Sequence, residues 1–287
     1  MSAKKIFKIA MPYTVINPII KLCNHCTENN YLYILLFHHV KENQLEKFRK
    51  IFDYIKKYFD IISPETIELY LNGNLRNKKK KILFTFDDGF VSDLAVVKEI
   101  LNPEGIKTIF FVCPNFIGLK GGQAIKFASD HLYEIPKAVL DVDKEIKPMD
   151  WSDIHYLINT GHTIGSHTIN HLSLSKLNDE LVLLAEIKLS AEILEKELGE
   201  KIKWFAYPFG KNEHINTLAY KIIFNTYHFC CTGLRGKIFT GSNPFTLNRQ
   251  QIDLSMPLEY IKFILEGGLD FYYNRKRKVL SQLICKS

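Results

Sequence analysis

The chain has 287 residues, 46% hydrophobic and 24% charged, which supplies ample core and argues against a disordered or fibrous polymer. Its net charge of +7, from 38 basic and 31 acidic residues, is too diffuse to mark a nucleic-acid binder without a recognisable reading module. Six cysteines in so long a chain do not suggest a disulfide framework, so reduced thiols are the simpler reading.

Residues 1–30 mix basic, apolar and proline positions without a period and read as an amino-terminal extension. The segment starts like a secretion signal, but Lys8, Pro12, Asn17 and Pro18 interrupt its apolar stretch, so the expected compartment is the cytoplasm. Cys23 and Cys26 form a lone Cys-x-x-Cys with no second pair, a weak zinc pattern. Tyr31 to Phe37 reads as the first strand and delivers His38 and His39 at its end. Leu45, Phe48, Ile51, Phe52, Ile55 and Phe59 then recur at helical spacing over Gln44 to Phe59. A short helix is expected over Pro64 to Leu71.

The stretch Ile82 to Phe90 sets an apolar run directly before Asp87, Asp88 and Gly89, the pattern of a buried parallel strand that ends at a polar site. Helix over Ser92 to Leu101 and strand over Lys107 to Cys113 follow, an order that a right-handed crossover makes parallel. Residues 115–148 break the rhythm and read as an insertion near the site, with a helix near Ala128 to Leu140. A helix from Met149 to about Asn159, with Trp151 in the core, precedes a strand over His162 to Gly165. Asn178 is the expected N-cap of a long helix that ends at Gly199. Strands are expected over Ile202 to Tyr207 and Tyr227 to Cys231, with a helix over Glu213 to Asn225 between them. Pro244 to Asp253 is extended with Arg249 at its centre, and Pro257 to Leu265 is helical. The alternation predicts an α/β fold of barrel type. The domain reading is 31–266 for the catalytic unit and 267–287 for a basic, aromatic tail, Phe271 to Lys278 being its distinctive part.

Adjacent carboxylates at a strand end repel each other unless a cation or donors stabilise them. One of Asp87 and Asp88 can therefore ligate a metal while the other handles a proton. Downstream, His167 and His171 in Ser166 to His171 are four apart. Two imidazoles and one carboxylate make a three-ligand site with open positions.

Thr85 to Gly89 (Thr-Phe-Asp-Asp-Gly) and Ser166 to His171 (Ser-His-Thr-Ile-Asn-His) resemble, in order and separation, the first two motifs of the polysaccharide deacetylases that share the NodB homology domain, carbohydrate esterase family four. The resemblance runs from about Tyr33 to Asp253. It implies a distorted (β/α) barrel of about seven parallel strands, with Asp88, His167 and His171 as metal ligands and Asp87 as general base. Borderline nitrogen and oxygen ligands suit zinc, iron, cobalt or nickel alike, and zinc is the expected ion. The family's third motif, Arg-x-Pro-Tyr, lends a backbone N–H to the oxyanion from its aromatic position, which here is Phe209. Its arginine position holds Ala206, so Arg249 is the candidate replacement. The family's carboxyl-terminal Leu-x-His motif is absent. Phe37-His38-His39-Val40 is similar to the amino-terminal Phe-His motif of the poly-N-acetylglucosamine deacetylases, which makes His38 the candidate acid, His39 the second and His228 a weaker third.

The implied function is metal-dependent removal of an N-acetyl group from an amino sugar of a cell-surface glycan or its cytoplasmic precursor. Alternatives are hydrolysis of a small non-sugar amide or formyl group, and a non-catalytic carbohydrate-binding relative. The expected partners are the acetylated sugar and, through the basic ends of the chain, the anionic inner face of a membrane, but not nucleic acid.

Overall fold

In the computed structural model, which describes residues 30–75, 79–132 and 146–284, the first apolar run forms strand β1 (Leu32–Phe37), buried throughout. It is followed by β2 (Asp60–Ile61), β3 (Lys81–Asp88), β4 (Ile109–Val112), β5 (Thr163–Ser166), β6 (Trp204–Ala206), β7 (Phe229–Cys231) and β8 (Arg249–Gln251). The strands lie in the order β7-β6-β5-β4-β3-β1-β8, with β2 against the start of β3, and the ladders are parallel. A parallel bridge between Cys231 and Leu247 joins the two ends of this path. The result is a nearly closed barrel with helices outside, as expected for the distorted NodB type.

Alternation along each strand sorts the core into an inner and an outer layer. Leu32, Ile34, Leu83, Ile109, Phe111 and Trp204 fill the interior with the short helix Ile67–Leu71. Tyr33, Leu35, Phe84, Phe86, Phe110 and Phe205 face the outer helices. Among these is Leu45–Tyr58, whose Phe48, Ile51, Phe52 and Ile55 are buried at the spacing read from sequence. Register then fixes two polar positions. Arg249 is paired with inward Ile34 and Asp87 with inward Phe111, so both side chains enter the interior.

Several sequence expectations are corrected. The long helix begins at Glu180 with Asp179, not Asn178, as N-cap; its carboxylate accepts from Leu181 N, and a π turn at Ala185–Leu189 interrupts the helix. The strand expected from Tyr227 starts only at Phe229, so His228 precedes β7 and is exposed. Within residues 115–148 the helix starts earlier, at Gly122–Phe127, and Phe116, Ala124, Phe127 and Ile146 bury themselves against Phe90. Cys23, Cys26 and the remainder of that expected helix lie outside the described residues. The tail forms a helix, Asn274–Ile284, with Leu280 buried in the core. Among the described residues no helix is long and apolar enough to cross a membrane.

Gly165 is in register with Phe111, and a Cβ there would lie 2.5 Å from the Phe111 ring. Gly165→Ala is expected to destabilise the protein by about 1–3 kcal/mol through overpacking, read as a lower denaturant midpoint with an unchanged slope.

Candidate active site

At the carboxyl end of β3 the pleat carries Asp87 inward, while Asp88 turns away with φ 75° and Gly89 follows at 84°. The loop after β5 carries His167 and His171. His167 N donates to Val112 O at 3.0 Å, and the Cys113 thiol donates to His167 O at 3.2 Å, which ties the loop to β4 and its end. Thr168 (φ 63°), His171 (57°) and Phe209 (61°) join Asp88 as the non-glycine residues of positive φ among the described residues. All four sit in or beside the same site, and each such conformation costs on the order of 1 kcal/mol that surrounding contacts must offset.

Backbone carbonyls set the histidine tautomers. His167 Nδ1 lies 2.5 Å from Ala206 O and His171 Nδ1 2.7 Å from His131 O. A carbonyl only accepts, so each ring carries its proton on Nδ1 and leaves the Nε2 lone pair free. Those Nε2 atoms lie 3.7 Å (His167) and 3.5 Å (His171) from Asp88 Oδ1.

The three side chains offer ligand atoms within 4.8 Å of one another. Ligands about 2.1 Å from a common tetrahedral centre stand about 3.4 Å apart, close to the observed spacing. Asp88 Oδ1 is buried without a hydrogen-bond partner, an acceptor that a cation would satisfy. The residues present therefore fit a divalent ion held by Asp88, His167 and His171.

Asp87 is gripped from β8. Arg249, 1% exposed, donates from Nη1 to Oδ1 at 2.7 Å and from Nη2 to Oδ2 at 2.8 Å. Its Nε donates to Thr232 O at 2.9 Å, and its guanidinium carbon lies 5.2 Å from the Phe111 ring centroid. Burial raises the Asp87 carboxyl, but Arg249 and then His167 outweigh it and hold the pKa below the usual carboxylate value. At Asp88 burial prevails over His38 and His167, and the pKa is raised. Burial likewise lowers both His167 and His171 to about 4.

A cleft of about 480 Å³ opens over this group, and His38, His39 and Phe209 line it together with Asp87, Asp88, His167, His171 and Arg249. The structure thus brings together the candidate ligands, base, acids, oxyanion residue and Arg249 singled out from the sequence, whereas the exposed His228 is not among the cleft residues and Cys23 and Cys26 lie outside the described residues. His39 Nδ1 bonds Ser92 Oγ at 2.7 Å, and its ring packs 4.8 Å from Phe90. The turn at Phe209 is fixed behind: Tyr207 OH and Gly233 N donate to Gly210 O at 2.9 and 2.7 Å, and a Cβ on Gly210 would lie 2.2 Å from Gly233 N. Sequence reasoning missed the carbonyls of Ala206 and His131, which have no side-chain signature. It also missed Thr85 and Thr232 around Arg249, although period-two alternation puts Thr85 on the face of Asp87. Tyr273, in the aromatic tail, reaches the cleft as well.

In metal-free protein the His167 and His171 rings are expected to stay neutral at about pH 5, where a free imidazole is mostly charged. Ring ¹⁵N shifts report this directly, and midpoints near 6.5 for both would contradict the burial.

Residues 74–222 match the family described as Polysaccharide deacetylase. YxkH of Bacillus subtilis (strain 168), which carries the polysaccharide deacetylase name, is 25% identical over 184 residues, or 62% of this chain and 56% of YxkH. The chain therefore spans little more than half the length of that relative. IcaB from Ammonifex degensii superposes with a TM-score of 0.66 at 20% identity, over 83% of this chain and 98% of IcaB. The Streptococcus pyogenes deacetylase PplD, solved in complex with acetate, gives 0.60 at 20% identity over 82% of this chain and 97% of PplD. These two structures share the fold. The matched span takes in both aspartates, both histidines and Phe209, and leaves His38 and Arg249 outside it; on that match the chain belongs to the polysaccharide deacetylase family.

Proposed function

We propose that this protein is a metal-dependent hydrolase that removes the acetyl group from an N-acetylated amino sugar of a cell-surface glycan or its precursor. The observation that carries the reading is the convergence of Asp88, His167 and His171 within ligand distance, beside an Arg249-clamped Asp87 on an open cleft. Zinc is the first candidate for the ion, with iron, cobalt or nickel as alternatives. When bound, such an ion supplies Lewis acidity, lowering the pKa of water and polarising a carbonyl.

The residues of the chain divide the remaining work. Asp87, kept ionised by Arg249, takes a proton from the attacking water as general base. Arg249 holds both Asp87 oxygens, so the carboxylate meets the water in one orientation. The backbone N–H of Phe209, at the strained turn, donates to the oxygen that gains charge as the water adds to the acetyl carbon. The carbon–nitrogen bond then breaks, and His38 gives its proton to the departing amine, with His39 as the second candidate. Acetate and a free amine leave.

We take 31–266 as the catalytic unit, with 115–148 inserted near the cleft. Peripheral contact with an anionic membrane, on the cytoplasmic face, fits the exposed Phe271 and Tyr272 beside exposed Arg275 and Lys278.

Metal analysis of the purified protein, joined to an acetate-release screen on defined N-acetylated amino sugars, tests the reading. Chelator-sensitive acetate release is expected; turnover of small amides or formyl compounds with none of the sugars would sink it. Asp87→Asn is expected to retain metal and lose turnover at least about 100-fold, whereas His167→Ala loses both. Equal metal loss in the two variants would refute the division of roles. His38→Ala is expected to abolish amine release, and activity like wild type in that variant would move the acid role to another side chain.

A further inference from the structure

The loop from His167 to His171 contains two non-glycine residues in the left-handed region, Thr168 and His171, and so needs external restraint. Glu186 supplies contacts of that kind. It is 4% exposed and sits on the π turn Ala185–Leu189, a one-residue expansion of the helix of the sort that recurs at functional sites. Both carboxylate oxygens accept from the residue before His171: Oε2 from Asn170 N at 3.0 Å and Oε1 from Asn170 Nδ2 at 2.6 Å. Asn170 Oδ1 accepts in turn from Asn115 Nδ2 at 2.7 Å, and Asn115 N donates to Ile169 O at 3.3 Å. The loop is thereby held between a helix and the segment after β4. No step of the proposed reaction uses Glu186.

We infer that Glu186 is a positioning residue: by holding both N–H groups of Asn170 it fixes the backbone from which His171 extends, and so the approach of His171 Nε2 to Asp88. A carboxylate suits the place because both contacts require acceptors. Glutamine would turn an NH₂ group against one Asn170 donor and leave a buried clash or an unpaired group. Only the affinity arm of the test below rests on the proposed metal site.

The experiment compares wild type, Glu186→Gln, and Glu186→Gln combined with Asn170→Asp. In the double variant the glutamine NH₂ donates to the new carboxylate, the glutamine oxygen still accepts from the backbone N–H, and Asn115 keeps an acceptor. Cobalt affinity is read by chelator competition, and the His167 and His171 ring resonances and thermal unfolding are read on metal-free protein. Glu186→Gln is expected to weaken cobalt binding about 10–100-fold and to shift the His171 ring signals while those of His167 hold. The double variant is expected to recover to within about threefold. Wild-type affinity with an unshifted His171 ring in Glu186→Gln would overturn the role, as would a double variant no better than the single one. So would a lower melting temperature with both rings moving together, which means general loosening. If wild type binds no cobalt the metal reading fails, and the metal-free ring comparison still decides the role of Glu186.

Discussion

The buried pair between Arg249 and Asp87 is the contact on which the interior of the barrel depends. Two charges removed from water are costly unless each finds its full complement of partners. Here the guanidinium spends its donors on both Asp87 oxygens, Thr232 O and, at 3.3 Å, Thr85 Oγ1. Loss of either partner would leave the other charge buried without its bidentate counterpart, a penalty of roughly 3–5 kcal/mol. The pair therefore ties β8 to β3 across β1 and keeps a carboxylate ionised where burial alone would neutralise it.

Neighbouring carboxylates on one strand end acquire opposite electrostatic characters from this arrangement. Asp87 stays on the inner face and meets a cation; Asp88 leaves the pleat through a left-handed backbone and meets two neutral imidazoles. Environments that push a pair of titratable groups apart are the mark of divided acid–base labour. The conformational cost at Asp88, Thr168, His171 and Phe209 is concentrated where the side chains must converge, and rigid elements behind them, such as the Gly210–Gly233 contact, hold it there.

Much of this was legible in the residues. The apolar run before Asp87 and Asp88 announced the buried strand, alternation fixed the face of each position, and Ile82 to Phe86 could not have been amphipathic helix. Arg249 was legible only as a candidate, because its reach to Asp87 depends on β1 lying between β8 and β3, an order that local pattern does not encode. His228 misled because alternation across Tyr227, His228 and Phe229 imitates a strand, whereas the ladder begins at Phe229. The N-cap fell one residue late, at Asp179, since Asn178 and Asp179 are chemically equivalent choices. The carbonyl partners of the two imidazoles are main-chain atoms contributed by distant segments, and no residue identity marks them.

The strand order also bears on when a nascent chain becomes competent. Asp87 and Arg249 are 162 residues apart, and the strand carrying the arginine docks beside β1, the first strand of the barrel. Closing a loop of such a span costs chain entropy before its contacts can offset it. A polypeptide stopped after β7 would hold the aspartates and histidines yet lack the cation that neutralises Asp87, leaving a repelling acidic pocket at an open seam. The candidate site is in this way complete only once β8 has docked beside β1.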